Sequence, residues 1–280
     1  MRWTPGGRSR NLEDRRGARG VGMPLGIGGT ILVLVLGLIF GPDVVSNTGL
    51  DPGVQTTSGG AIAPEDSARE EPMVQFVSFV LDDAQATWAR ILPAAGQRYE
   101  DARLVLFRDA VRSGCGAAQA AMGPFYCPLD ERVYIDLGFF DELHSRFGAP
   151  GDFAQAYVLA HEIGHHVQHQ LGTDAEVRRA QQANPALANE LSVALELQAD
   201  CYAGIWGHST ARRDLLQEGD IEEGLAAAAA VGDDRIQRRT SGTIDVESFT
   251  HGSSEQRASW FMRGFRSGDP EACDTFGAFR

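Results

Sequence analysis

The chain is expected to fold as an α+β domain, mainly helical with a small sheet, preceded by one transmembrane helix. Three observations lead there. A run of 23 uncharged residues (20–42) sits near the start, two short β-rich runs follow the middle of the first half, and helical periodicity dominates from Asp152 onward.

The first 20 residues hold six arginines (Arg2, Arg8, Arg10, Arg15, Arg16, Arg19) against Glu13 and Asp14, a basic start to a chain whose net charge is −13. That acidic balance argues against nucleic acid as a partner, because phosphate binding needs a basic footprint. The absence of lysine points to a GC-rich, bacterial coding sequence. Within the uncharged run, "LGIGGTILVLVLGLIF" with its flanks is long enough for a helix of about 20 residues across a bilayer. The basic flank before it predicts a basic cytoplasmic N-terminus (1–20), a transmembrane helix (21–42) and an extracytoplasmic remainder on a single-pass cell-membrane protein. A cleaved signal peptide would need a small-residue cleavage site, and "FGPDVVSNTG" is a poor one.

Residues 43–72, rich in Gly, Pro, Ser, Thr and acids, read as a flexible linker. The ordered domain is expected over 73–280, starting with a helix in "VQFVSFVLDDAQATWARIL". "ARLVLF" and "RVYIDL" read as strands, with a Gly/Cys-rich loop, 113–128, between them. "VYIDL" could be an ordinary sheet strand or an edge strand that binds a peptide backbone. Gly172 stops a helix running from Asp152 to Leu171, and Asn184-Pro185 opens another that ends near Gly207. "DIEEGLAAAAAVGDDRIQRR" predicts a third helix, and "SSEQRASWFMRGFRSG" a fourth, with Ser253 and Gln256 in capping-box spacing.

All four cysteines lie beyond the apolar run, an even number suited to an oxidising compartment. Three pairings are possible; Cys115–Cys127 closes a short loop and leaves Cys201–Cys273, the favoured pair. A four-thiolate zinc site lacks the usual CxxC spacing.

The densest chemistry is in "AYVLAHEIGHHVQHQLG". His161-Glu162-Ile163-Gly164-His165 is an HExxH motif within a predicted helix, so the imidazoles at i and i+4 share one face and can reach one ion. Zn2+ prefers such nitrogen ligands and, at a catalytic site, three protein ligands plus water. Glu162 would be the base that deprotonates that water. The third ligand decides the reading. The metzincin arrangement fails, because Gln168 and Leu171 stand where it needs glycine and histidine. His169 shares the face of His161, but three ligands on one straight helix would span about 12 Å. Glu196-x-x-x-Asp200 lies on a second helix among apolar neighbours, where a lone carboxylate would be costly. Glu196 is therefore the expected third ligand, with Glu190 as fallback, and Asp200 is expected to hydrogen-bond a liganding imidazole. His166 points away from His165. Tyr157 and Tyr202 read as core tyrosines. Asp233-Asp234 could bind a cation or cap a helix.

HExxH followed by ExxxD is the gluzincin arrangement. "AYVLAHEIGHHVQ", "ELQADCYAG", "GDIEEGL…VGDDRIQ" and "FTHGSSEQRASWFMRGF" resemble more closely the bacterial neutral zinc metallopeptidase family, the YpfJ-like proteins, over about residues 100–276. The resemblance implies a zincin-like fold, one catalytic Zn2+, a peptide or protein substrate and membrane attachment. In related zinc peptidases a histidine outside the ligand set donates to the oxyanion, and His251 is the candidate here. Arg257 could pair with Asp200. Two other readings use the same residues: a tethered scaffold with a structural zinc, and a zinc amidase acting on cell-wall peptides.

Overall fold

In the computed structural model, residues 1–17, 64–120, 123–145 and 151–279 are described. The expected transmembrane helix at 21–42 lies outside them, and among the described residues no helix is long and apolar enough to cross a membrane.

Two departures from expectation come early in the chain. The basic start is not a separate segment. Its strand β1 (Leu12–Asp14) pairs in parallel with β2 (Arg103–Phe107), Leu12 opposite Leu104 and Asp14 opposite Leu106. Two arginines in this stretch pair with acids: Arg16 is buried against Asp14 and Glu70, and Arg8 meets Glu71. The expected linker, in turn, ends early. Helix α1 runs Pro64–Ile91 and includes "PEDSAREEP". Proline suits the first helical position, and acids suit the positive end of the helix dipole.

The sheet has the order β1-β2-β6-β5, with β5 (Phe125–Cys127) antiparallel to β6 (Arg132–Asp136) and the other neighbours parallel. "VYIDL" is thus an interior strand, and β5 is one of the sheet's two outer strands, β1 being the other. The expected 113–128 loop holds β5 and half of a hairpin, β3 (Ala110–Ser113) with β4 (Gly116–Gln119). Its short, small-residue strands carry too little alternation to be recognised, and the Cys115–Cys127 disulfide ties the hairpin to β5. After α2 (Gly138–Ser145) the chain is helical.

Helix α3 spans Asp152–Leu171 and stops at Gly172, whose φ of +78° is the left-handed cap a glycine takes without strain. Then come α4 (Thr173–Ala183), α5 (Ala188–Ala211), α6 (Asp220–Ala230), α7 (Asp233–Thr240) and α8 (Ser254–Ser267). The single helix expected from Asp220 to Arg239 breaks at Val231-Gly232, because the backbone there presses on Ser254: a Cβ on Gly232 would lie 2.4 Å from the Ser254 nitrogen. The capping box of α8 forms as expected, Ser253 accepting from the Gln256 backbone and Gln256 from the Ser253 backbone. The core packs α1, one sheet face, α3, α5 and α8 around Trp88, Phe153, Tyr157, Trp206 and Phe261, each fully buried. Cys201–Cys273 fastens α5 to the chain after α8.

Candidate active site

Helices α3 and α5 cross closely at Gly164, inside the HExxH motif. A Cβ there would stand 3.0 Å from the Ala199 carbonyl oxygen, so glycine at this turn brings α5 near enough for Glu196 to face the imidazoles. His161 Nε2 lies 3.2 Å from one Glu196 oxygen and His165 Nε2 3.4 Å from the other. The three side chains offer ligand atoms within 4.8 Å of one another.

The far side of each ring fixes which nitrogen points inward. His161 Nδ1 lies 2.9 Å from Asp200, and His165 Nδ1 lies 2.8 Å from the Gln168 side-chain oxygen. Both partners are acceptors, so both Nδ1 atoms donate and both Nε2 lone pairs turn toward Glu196. Acceptors converging in a buried place are stabilised by positive charge between them, whether a metal ion or shared protons. Without an ion, protons fill that role. Burial opposes charge on His161, yet Asp200 and Glu196 outweigh it and push its pKa up to about 9. Burial likewise works to raise Glu196, but His165 and His161 hold it well below the usual carboxylate range. Two imidazole nitrogens and a carboxylate are the donor set zinc takes, and the donor chemistry fits.

Glu162 stands apart from this trio. It is buried and lines the same cleft, a cavity of about 470 Å³. Burial and then the Glu196 charge raise its pKa, against the opposing pull of His165 and His161. A carboxyl moved toward neutrality is suited to taking and returning a proton.

Asp200 is fully buried and accepts from His161, from Tyr157 and from two nitrogens of Arg257. Arg257 thus pairs with it, the structural role weighed for that residue. His251 reaches the cleft from the loop before α8, with Nδ1 3.2 Å from Asp233. Asp233 also accepts the backbone N–H groups of Thr250, His251 and Gly252, while Asp234 accepts from the backbone and hydroxyl of Ser254. These acids hold the loop and cap α8.

The other histidines go elsewhere. His169 pairs with Asp174, and His166 is buried between the Tyr126 hydroxyl and the Glu100 carbonyl. Glu190 is exposed at the start of α5, and Tyr202 packs edge-on against Trp88 in the core. Two site residues escaped the sequence reading. Tyr157 looked like a core tyrosine but bonds Asp200, and Gln168 orients His165 while donating to the Leu195 carbonyl. The spacing of Gln168, three residues after His165 on one helix face, was the available signal.

Comparison with known proteins places this geometry in context. The family model described as "Putative neutral zinc metallopeptidase" matches residues 1–276. The chain is 48% identical over 289 aligned positions to "Uncharacterized protein YpfJ" of Escherichia coli K12, covering 99% of each chain. It is 46% identical over 208 positions to "Uncharacterized protein Mb2605" of Mycobacterium bovis, covering 70% of this chain and 68% of that one. No solved structure matches.

Proposed function

Since the chain belongs to the neutral zinc metallopeptidase family, a kinship implying zinc, we propose that it hydrolyses peptide bonds of a peptide or protein substrate in the cleft between α3, α5 and β5. His161, His165 and Glu196 would hold one ion. Bound there, zinc supplies Lewis acidity that polarises a water and the scissile carbonyl.

The chain's own residues carry the rest. Glu162 takes a proton as the water oxygen bonds to the carbonyl carbon. It returns that proton to the nitrogen as the C–N bond breaks, leaving a carboxylate and an amine. His251, with Nδ1 turned to Asp233, presents Nε2 to the oxyanion that develops. Phe125 and Tyr126 of β5 line the cleft, and the outer position of that strand supports backbone pairing with an extended peptide. Two disulfides support an oxidising, extracytoplasmic compartment for the domain.

The observation that carries the reading is a carboxylate, Glu162, buried beside three converging ligand groups yet not one of them. A structural zinc site has no use for such a base. The test is Glu162→Gln in the full chain, read by zinc content and by cleavage of an unfolded protein. Equal zinc content with cleavage lost supports a peptidase. Zinc bound without cleavage by the wild-type chain across a broad peptide library leaves the tethered scaffold standing instead.

A further inference from the structure

We infer that residues 1–17 and the metallopeptidase domain lie in the same compartment, on one side of any membrane that the apolar stretch at 20–42 meets.

The contacts are those of an integral strand. Backbone bonds join Leu104 N to Asn11 O at 2.9 Å and Arg15 N to Leu106 O at 2.8 Å, flanking the β1–β2 pairing. The partners on β2, Leu104, Val105 and Leu106, are fully buried. Arg132 reaches Glu13 from β6, Ser9 donates to Asp82 of α1 at 2.6 Å, and Trp3 packs edge-on against Phe76. The Arg16 side chain is 1% exposed and donates to Glu70 at 2.5 Å.

That last pair joins chain positions on either side of the apolar stretch at 20–42. A bilayer's hydrocarbon core is about 30 Å thick, so a single crossing between Arg16 and Glu70 would hold them more than ten times farther apart than they are. It would also strip β1 from the sheet and part Arg16 from Glu70, breaking a buried ion pair. Two crossings would reconcile the ends, but they need about 40 apolar residues, and the uncharged run has 23. A cytoplasmic N-terminus with the domain on the opposite side is therefore incompatible with this fold. The positive-inside pattern of the first 20 residues has another origin for three of its arginines: Arg8, Arg10 and Arg16 are the partners of Asp14, Glu70, Glu71 and Asp101.

The experiment uses the full chain expressed in bacteria, with Gly6→Cys and Glu218→Cys introduced separately. Position 6 has nothing within 4 Å of an added Cβ, and position 218 is exposed. Each is labelled in intact cells with a maleimide that does not cross the inner membrane, and again after lysis in denaturant; the unsubstituted chain gives the background of the native cysteines. The two positions are expected to show the same intact-to-lysed ratio within about twofold. A tenfold or greater difference, one position reacting in intact cells and the other only after lysis, overturns the inference. Arg10→Cys, whose side chain is 87% exposed, provides a second reporter on the strand's side should Gly6→Cys fail to accumulate.

Discussion

Arg257 grips Asp200 with two hydrogen bonds, Nε to one oxygen at 2.8 Å and Nη2 to the other at 2.9 Å, and Asp200 in turn accepts from His161. Burial would raise the Asp200 carboxyl, but Arg257 and then His161 hold it below its ordinary value. A charge on α8 thus sets the orientation of a ring on α3. Arg257→Ala leaves a fully buried carboxylate uncompensated, at a cost of about 3–5 kcal/mol. Thermal unfolding should fall by about 6–20 °C, and zinc affinity by about 10–100-fold as His161 loses its orientation. Lysine, a point charge without the planar fork, should restore little of either. Calorimetry with zinc titration checks both; unchanged affinity in Arg257→Ala would refute the coupling.

His251 yields a prediction in pH. With Asp233 accepting from Nδ1, Nε2 carries a proton only in the imidazolium, so the donor form exists below the pKa. Burial lowers that pKa, and the bond to Asp233 raises it. Activity should therefore fall as pH rises through the pKa of His251. Asp233→Asn removes the supporting carboxylate, and the alkaline limb of kcat should move to lower pH. His251→Ala should cost about 10²–10³ in kcat with zinc content intact. A limb that stays in place in Asp233→Asn excludes this role.

What the sequence disclosed about the site came from helical periodicity. HExxH and ExxxD are informative because 3.6 residues per turn convert spacing into a shared face, so His161, His165, Glu196 and Asp200 could be named without coordinates. Gln168 and Tyr157 could not, because a polar partner's role depends on which helix packs opposite. The sheet was half legible. β2 and β6 are apolar enough to show alternation, whereas β1 is Leu-Glu-Asp among arginines and becomes a strand only by pairing with β2. Its charges gave no sign of that pairing, since contact with Glu70 and Glu71, more than 50 residues away, leaves no local trace. The break at Val231-Gly232 was hidden for a similar reason: its cause is Ser254, on another element.

The disulfides should separate stability from substrate binding. Cys201–Cys273 spans 72 residues and abuts Asp200, while Cys115–Cys127 spans 12 and secures β5. Loop-closure entropy gives about 4 kcal/mol for the longer and about 3 kcal/mol for the shorter. Replacing Cys201 and Cys273 by alanine should lower both the melting temperature and zinc affinity. Replacing Cys115 and Cys127 should lower melting less and raise KM for a peptide, with zinc affinity kept. Equal zinc loss in both double variants would contradict the assignment of β5 to the substrate.

Helices α5 and α8 meet at two glycines, and the sign of one substitution tests how closely. A Cβ on Gly264 would come 1.9 Å from the Cys201 carbonyl oxygen, and one on Gly204 would come 2.0 Å from that of Phe261. Neither backbone can yield without the helices parting. Intrinsic helix propensity favours alanine over glycine by about 1 kcal/mol, so an uncrowded Gly264→Ala would stabilise the chain. Packing predicts the reverse, because overfilling a tight contact costs about 1–3 kcal/mol and more where backbone must move. Arg257 lies two turns earlier on α8, so a helix wedged outward should also loosen its hold on Asp200. Gly264→Ala should therefore lower the melting temperature and zinc affinity together. A variant that melts at or above the wild-type temperature would mean the two helices are not in the contact on which the orientation of His161 depends.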